Sequence, residues 1–330
     1  MKAAIVGIAG MALATAEAAL FYAYPPAGVI LFGRNVASPV QLRALTAELR
    51  GALPPRAVLM VDQEGGRVAR LRPPGWPAQP AAATLGALFA RDAVAGLRAA
   101  WITGALIGRD CAEAGFDVVA APVLDLLIPG ANGAIGDRAF AADPRDVALL
   151  GRALAAGLLA AGVQPVGKHA PGHGRARVDS HLELPEVTED DLEADLLPFA
   201  ANVDLPWMIT AHIVYRAWDP DLPATLSARV IDEVIRGRIG FSGVLVSDDL
   251  AMKALAGAPA DRALGALRAG CDVALYCPGD PEGTRAVLEA VPELTPAAAD
   301  RLAAARALAL GRRLALDPAA LLVERNGLGI

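Results

Sequence analysis

The sequence has few cysteines, and none of them forms a C-x-x-C motif. The 330 residues include three, Cys111, Cys271 and Cys277. An odd number of cysteines without redox or metal-binding spacing argues against a disulfide framework. Buried thiols in a reducing compartment fit this pattern better, so the sequence predicts a cytoplasmic protein.

An excess of one charge sign and a long apolar run are also lacking. The 30 Lys and Arg residues and 36 Asp and Glu residues are interleaved and give a net charge of −6. Such a chain has no electrostatic basis for binding nucleic acid or anionic lipid. No stretch reaches the ~18 uninterrupted apolar residues of a transmembrane helix. We expect a monomer that binds a small molecule, with no cofactor and no nucleic-acid or membrane partner.

The N-terminal segment from Ala3 to Ala16 is mostly apolar and follows a single Lys2. A secretory signal peptide is one interpretation, but such signals need a more strongly charged beginning. The alternative is that AAIVGI forms the first strand of the fold. The weak charge before the apolar run favours the strand.

Eight short apolar runs recur along the chain. They are AAIVGI, GVILF, AVLMVD, DVVAAPVLD, QPVGKH, WMITAH, GVLVSD and DVALYC. Nearly all are continuously apolar rather than alternating, as in parallel strands buried on both faces. Helical patterns separate them. This repeated alternation predicts an α/β protein whose residues 1–330 form a single domain, a (β/α)₈ TIM-type barrel.

Helix-initiating residues precede several of the intervening segments. Ser38 and Asp143 each stand before a proline, as does Thr295, which is typical of a capped helix start. The helix after Asp143 is expected to stop at Gly162. Thr188, followed by acidic residues, predicts a further helix start.

Polar residues fall at the carboxyl ends of the predicted strands. In a TIM-type barrel the loops leaving these ends converge on one rim, where catalytic groups lie. The sequence therefore predicts one cleft that gathers side chains from several strands. These residues are Asp62, Asp125, Lys168, His169, His212, Asp248 and Asp249.

The densest polar segment is GKHAPGHGRARVDSHLELP, which follows the fifth run. His169 and His173 have the i, i+4 spacing of some zinc-binding helices. Pro171, Gly172 and Gly174 make a helix improbable there, and no cysteine lies nearby. We expect no metal site and interpret the loop as presenting side chains to a substrate.

Asp179 lies two residues before His181 in the same loop. A carboxylate in reach of an imidazole orients the ring and raises its basicity, so His181 is a candidate proton shuttle. A solvated loop histidine beside an Asx-turn aspartate fits the same spacing. The spacing alone leaves both interpretations open.

Two adjacent aspartates close the seventh run, in the segment SDDL. Either could act as a nucleophile in the cleft, and either could simply cap the next helix. Two neighbours permit both roles, so we assign Asp248 to chemistry and Asp249 to support.

The segment VDQEGGRVARLR combines a strand end with a glycine turn. Asp62 precedes Gly65 and Gly66, which tolerate positive φ, and Arg67 and Arg70 follow. A carboxylate and a guanidinium together suit hydrogen bonding to neighbouring hydroxyl groups. Neither GxGxxG nor GxxxxGK[ST] spacing is present, so no nucleotide site is indicated.

Six segments in order resemble the glycoside hydrolase family 3 β-N-acetylhexosaminidases, bacterial enzymes of the kind that act in peptidoglycan recycling. The resemblance spans about Gly28 to Leu255. Any one of the segments is only modestly specific, whereas six in family order are highly specific. They are GVILFGRN, VDQEGGRVARLR, IGDRAF, GKHAPGHGRARVDSHLELP, ITAHIVY and GFSGVLVSDDLAMKAL.

The resemblance implies roles for particular residues. Asp248 matches the nucleophile, His181 the acid/base and Asp179 its partner in a retaining double displacement. The groups that bind the terminal GlcNAc are matched by Asp62, Arg70, Arg138, Lys168 and His169. The implied substrate is GlcNAc β-1,4-linked to anhydro-N-acetylmuramic acid, with or without its peptide.

Three other activities are alternatives. A phosphorylase of the same family would release the sugar with phosphate instead of water. An aldolase-like barrel would use Lys168 as a Schiff-base lysine, which requires an activated amine. A β-glucosidase is less compatible, because those relatives resemble a longer, multidomain layout.

Overall fold

The eight apolar runs form the strands of a closed parallel barrel in the computed structural model, which describes residues 1–131, 133–178 and 182–330. Each strand pairs in parallel with the next one in the chain, and the eighth pairs with the first. The predicted (β/α)₈ TIM-type barrel is therefore confirmed. The strands are β1 (Lys2–Gly7), β2 (Pro26–Leu31), β3 (Val58–Val61), β4 (Val118–Val119), β5 (Gln164–Ala170), β6 (Trp207–Thr210), β7 (Val244–Asp249) and β8 (Val273–Tyr276).

Helices surround the barrel and connect its strands. Two consecutive helices precede β4, three follow β8, and a π-helical segment, Val230–Arg238, lies between β6 and β7. The α-helices are α1 (Thr15–Ala23), α2 (Pro39–Ala52), α3 (Ala82–Arg91), α4 (Ala93–Glu113), α5 (Pro144–Ala160), α6 (Glu193–Ala201), α7 (Pro259–Ala269), α8 (Pro281–Ala290), α9 (Pro296–Arg312) and α10 (Pro318–Gly327).

Both faces of the barrel strands are buried, which is why their sequences lack alternation. Along β1, Ile5 belongs to the cluster inside the barrel, whereas Ala4 and Val6 pack in the layer between barrel and helices. Leu302 and Ala305 of α9 join the inner cluster, so α9 covers one end of the barrel. The opposite, carboxyl end of the strands carries the polar residues.

Side-chain caps start three of the predicted helices. The Ser38 hydroxyl accepts a hydrogen bond from the Gln41 amide at 3.2 Å, and Asp143 accepts one from Arg145 at 2.7 Å. Thr295 caps α9 in the same way. Each satisfies a backbone N–H that has no partner within its helix.

The predicted helix start at Thr188 is wrong, since α6 begins only at Glu193. The segment Glu186–Val187 pairs in parallel with Val214–Tyr215 and forms a separate two-stranded sheet. This pairing keeps the chain extended directly before Thr188, so the helix starts later. A tertiary contact overrides a local helix signal here.

The N-terminal apolar run is β1, as the strand interpretation predicted. Across the three described ranges, no helix combines the length and the apolar character needed to cross a membrane.

Candidate active site

A pocket of about 230 Å³ opens at the carboxyl end of the barrel strands. Asp62 follows β3, Lys168 and His169 belong to β5, and Asp248 lies near the end of β7. All four line the pocket, together with Arg70 and Arg138 from the loops after β3 and β4. Barrel closure thus gathers six of the residues singled out in the sequence.

A continuous chain of ion pairs lies in the pocket wall. Its members, in order, are Arg70, Asp62, Lys168, Glu64 and Arg138. Asp62 accepts hydrogen bonds from Arg70 and Lys168, both at 3.0 Å. Lys168 Nζ also lies 2.5 Å from Glu64 Oε1. Glu64 in turn accepts two hydrogen bonds of 2.8 Å from the Arg138 guanidinium. Positive and negative groups alternate along the whole chain.

These pairs control the charges of their members. Burial raises the pKa of Asp62, but the charges of Lys168 and Arg70 outweigh it and hold this pKa well below its usual range. Burial likewise raises the pKa of Glu64, and Lys168 and Arg138 more than offset it. Burial lowers the pKa of Lys168, yet the two carboxylates raise it above its ordinary value. The network is therefore fully ionised near neutral pH.

The turn after β3 brings Asp62 and Glu64 into the pocket. Gly65 and Gly66 have φ of 100° and 54°, a conformation that L side chains rarely adopt. A Cβ on Gly65 would also overlap the carbonyl oxygen of Pro80. The predicted glycine turn is confirmed.

Asp248 and Asp249 differ in their surroundings. The Asp249 carboxylate accepts hydrogen bonds from the backbone N–H groups of Ala251 and Cys277, at 3.0 and 3.1 Å. The Asp248 carboxylate accepts a hydrogen bond from the adjacent Asp249 backbone N–H at 2.8 Å. Asp249 therefore secures the strand end, and both carboxylates line the pocket; the roles expected for the two residues stay predictions.

Electrostatics keep Asp248 ionised. Burial raises the pKa of this carboxyl, but the imidazoles of His169 and His212 and the Asp249 amide together lower it below its ordinary value. Burial instead raises the pKa of Asp249. An ionised carboxylate lining a pocket is the form that a nucleophile requires.

Asp125 orients two of the histidines from beneath the pocket. Its fully buried carboxylate accepts a hydrogen bond from His169 Nδ1 at 2.7 Å, and others from the backbone amides of His169 and His173. Since a carboxylate only accepts, His169 carries a proton on Nδ1 and turns its other ring edge away from Asp125.

His212 braces the end of β7. Its Nε2 donates to the carbonyl oxygen of Asp249 at 3.0 Å, and its Nδ1 lies 2.7 Å from the Thr225 hydroxyl. Burial lowers the pKa of His212, so the ring is neutral near pH 7. The neutral ring donates with one nitrogen and accepts with the other, which matches these two partners.

Two predicted residues, Asp179 and His181, lie outside the described residues. Conversely, Glu64 was not singled out in the sequence, although it stands within VDQEGGR two positions after Asp62. Its position after a buried strand, like that of Asp62, was the available signal. Within 1–131, 133–178 and 182–330, no three His, Cys, Asp or Glu residues are grouped to hold a metal ion.

Comparisons with known proteins agree on one family. The glycosyl hydrolase family 3 N-terminal domain matches residues 5–308. A β-hexosaminidase from Alkalilimnicola ehrlichii is 44% identical over 305 residues, 90% of this chain and 86% of the relative. One from Bordetella avium is 43% identical over 282 residues, 83% of this chain and 79% of the relative. The structure of NagZ from Neisseria gonorrhoeae in complex with N-trifluoroacetyl-D-glucosamine has a TM-score of 0.88 at 33% identity, covering 100% of this chain and 98% of that one.

Proposed function

The chain belongs to glycosyl hydrolase family 3 and is a β-N-acetylhexosaminidase; on this basis we propose that it is a retaining exo-β-N-acetylglucosaminidase. The observation that carries the proposal is the ionised Asp248 carboxylate, which lines the same small pocket as the ion-pair chain from Arg70 to Arg138. The proposed nucleophile and the proposed sugar-binding groups thus line one cavity.

Asp248 is the proposed nucleophile. Its carboxylate attacks the anomeric carbon and forms a glycosyl-enzyme ester while the glycosidic oxygen departs, taking a proton from His181. Water then attacks the same carbon, gives a proton to His181 and releases Asp248. Two displacements retain the anomeric configuration. Asp179 is proposed to orient His181 and to support its protonated form.

Five residues are proposed to bind the non-reducing GlcNAc: Asp62, Arg70, Arg138, Lys168 and His169. Their carboxylate, ammonium and guanidinium groups are already ordered by the ion pairs, so sugar hydroxyls meet acceptors and donors in set positions. The pocket volume of about 230 Å³ lies below the ~300–1,000 Å³ range of larger ligand sites. This size suits a single sugar ring.

The proposed substrate is GlcNAc β-1,4-linked to anhydro-N-acetylmuramic acid, with or without its peptide, in peptidoglycan recycling. The N. gonorrhoeae relative binds an amino sugar, N-trifluoroacetyl-D-glucosamine, which supports the same sugar class here. A cytoplasmic location is part of the proposal. Three buried free cysteines are compatible with a reducing compartment.

The test is hydrolysis of p-nitrophenyl β-GlcNAc and of the matching β-glucoside. We expect activity on the GlcNAc substrate only. Asp248→Ala should lower kcat by roughly 10⁴-fold or more, because it removes the nucleophile. His181→Ala should lower it by roughly 10²–10⁴-fold, the range of general acid–base catalysis. Asp261→Ala, in an exposed part of α7, is the matched control and should be unaffected. Full activity of Asp248→Ala would refute the assignment of the nucleophile.

Two further experiments test the phosphorylase and aldolase-like alternatives. Product analysis with and without phosphate tests a phosphorylase, for which GlcNAc 1-phosphate would replace free GlcNAc. Borohydride trapping with a carbonyl substrate tests a Schiff base on Lys168. We expect no adduct, since Asp62 and Glu64 raise the pKa of Lys168 and keep its amine protonated.

A further inference from the structure

Glu64 is the one member of the pocket's ion-pair chain to which the proposed mechanism gives no role. Its side chain is only 7% exposed and lies between two cations, Lys168 and Arg138. These cations come from different parts of the barrel, β5 and the loop after β4. Glu64 itself follows β3. One carboxylate therefore joins three neighbouring strand–loop units at the pocket.

The contact between Arg138 and Glu64 has a defined orientation. Nε and Nη2 each donate to a different Glu64 oxygen at 2.8 Å, so the guanidinium is held as a planar fork. Arg138 Nη1 also donates to the carbonyl of Ala134 at 3.1 Å. Ala134 and Ile135 line the pocket. Glu64 thus fixes Arg138, which in turn contacts the loop segment on this side of the pocket, a segment that Arg67 also holds through the carbonyl oxygens of residues 133–135.

Without a carboxylate between them, the two cations would oppose each other. Arg138 lowers the pKa of Lys168, whereas Glu64 raises it. Burial lowers the pKa of Arg138, but Glu64 outweighs this and raises it. Long cationic side chains also lose considerable rotamer freedom when they are held in one conformation. By pairing with both cations, Glu64 orders their side chains in the free protein. The loss of rotamer freedom therefore precedes sugar binding.

We propose that Glu64 is a positioning residue for amino-sugar binding, which holds Lys168 and Arg138 in the arrangement that engages the sugar hydroxyls. The inference rests on the proposed function of the pocket. Glu64 acts through the two cations, so its removal should weaken binding of the sugar more than it slows the chemistry at Asp248.

The test uses Glu64→Gln, which preserves the side-chain shape. A glutamine amide presents an N–H₂ donor to one of two cationic donors, so one contact becomes repulsive. We expect KM for p-nitrophenyl β-GlcNAc to rise roughly 10-fold, the size associated with losing a charge-assisted contact. The dissociation constant for free GlcNAc, measured by calorimetry, should rise by a similar factor, and kcat should change less.

A purely structural role would give another result. The folded fraction would fall, which lowers apparent kcat at unchanged KM, and urea unfolding would report the loss. Glu64→Asp keeps the charge on a shorter side chain, so its KM should lie between those of the wild type and Glu64→Gln. It also serves as the test if Glu64→Gln fails to fold. Glu186→Gln, which removes an exposed carboxylate paired with Arg216, is the control and should match the wild type.

The outcomes separate this inference from the proposed function. Wild-type hydrolysis with unchanged KM and GlcNAc affinity in Glu64→Gln overturns the role of Glu64 alone. Absence of wild-type hydrolysis overturns the proposed function, and weaker GlcNAc binding by Glu64→Gln would still support the positioning role. A wild type that neither hydrolyses the substrate nor binds GlcNAc overturns both.

Discussion

At the scale of single residues, the charged side chains of the pocket are paired with one another in the free protein. Lys168 and Arg138 meet Glu64, and Lys168 and Arg70 meet Asp62. Cations already paired in this way attract a further anion less strongly than free ones would. They still offer N–H and carboxylate oxygen groups to hydroxyls. This arrangement suits a neutral sugar ring better than a phosphate group.

His173 should make stability fall as the pH is lowered below about 6.5. Burial, with a smaller effect of His169, lowers its pKa to about 4. Between these two pH values the unfolded chain binds a proton that the folded chain excludes. From pH 7.5 to 5 this histidine should cost the wild type about 2 kcal/mol of unfolding free energy. Urea unfolding of wild type and His173→Gln at both pH values measures it.

The expected result is a stability difference between wild type and His173→Gln that is larger at pH 7.5 than at pH 5. The variant lacks the titrating ring, so its own pH dependence should be shallower over this range. An identical difference at both pH values would show that the imidazole does not titrate as its burial implies.

Asp110 should give the opposite pH dependence of stability, a loss as the pH is raised. Burial raises its pKa to about 6, although nearby Arg109 favours the ionised form. The folded chain therefore binds an extra proton between the unfolded value near 3.8 and about pH 6, and this stability is lost as the pH rises through 6. Asp110→Asn should gain about 1 kcal/mol relative to the wild type on going from pH 5 to 7.5. Urea midpoints of the two proteins give the answer, and a relative loss would contradict the burial of this carboxyl.

At the scale of elements, helices α4 and α5 touch through glycines. A Cβ on Gly104 would overlap the carbonyl oxygen of Leu154, and one on Gly157 would overlap that of Trp101. The two backbones therefore approach more closely than side chains would permit.

Gly104→Ala should destabilise the protein in spite of alanine's better helix propensity. The added methyl must displace backbone, which costs about 1–3 kcal/mol and exceeds the roughly 1 kcal/mol that alanine gains in a helix. Gly51→Ala in α2 is the matched control, since its Cβ would meet nothing within 4 Å. We expect a lower thermal midpoint for Gly104→Ala and an unchanged or higher one for Gly51→Ala. Equal shifts would show that the helices can separate without cost.

At the scale of the whole molecule, the last two helices pack against the barrel and its surrounding helices. Leu302 of α9 packs with the barrel interior, and Glu324 of α10 accepts two hydrogen bonds from Arg98 of α4. Large exposed apolar side chains occur on several helices and loops, as Tyr22, Leu127 and Val323 illustrate. We propose that residues 1–330 fold as one domain and remain monomeric.

Light scattering and thermal unfolding test this proposal. A monomer should have a molar mass near 33.8 kDa, independent of concentration. One domain should give a single cooperative transition, with equal calorimetric and van't Hoff enthalpies. A doubled mass would refute the monomer, and two separated transitions would refute the single domain.

The sequence by itself determined the barrel class, the helix starts at Ser38, Asp143 and Thr295, and the set of polar residues at the strand ends. Continuous apolar runs and caps such as Ser38 and Asp143 act over a few residues, so their meaning is local. Barrel closure then brings the strand ends together.

Only the tertiary structure decided which polar residues meet there. Arg138 lies 74 positions from Glu64 in the chain, and Asp125 lies 44 from His169. Directly before Thr188, pairing of Glu186–Val187 with Val214–Tyr215 delays the helix start to Glu193. Partners this far apart depend on how the barrel closes, which no local pattern encodes.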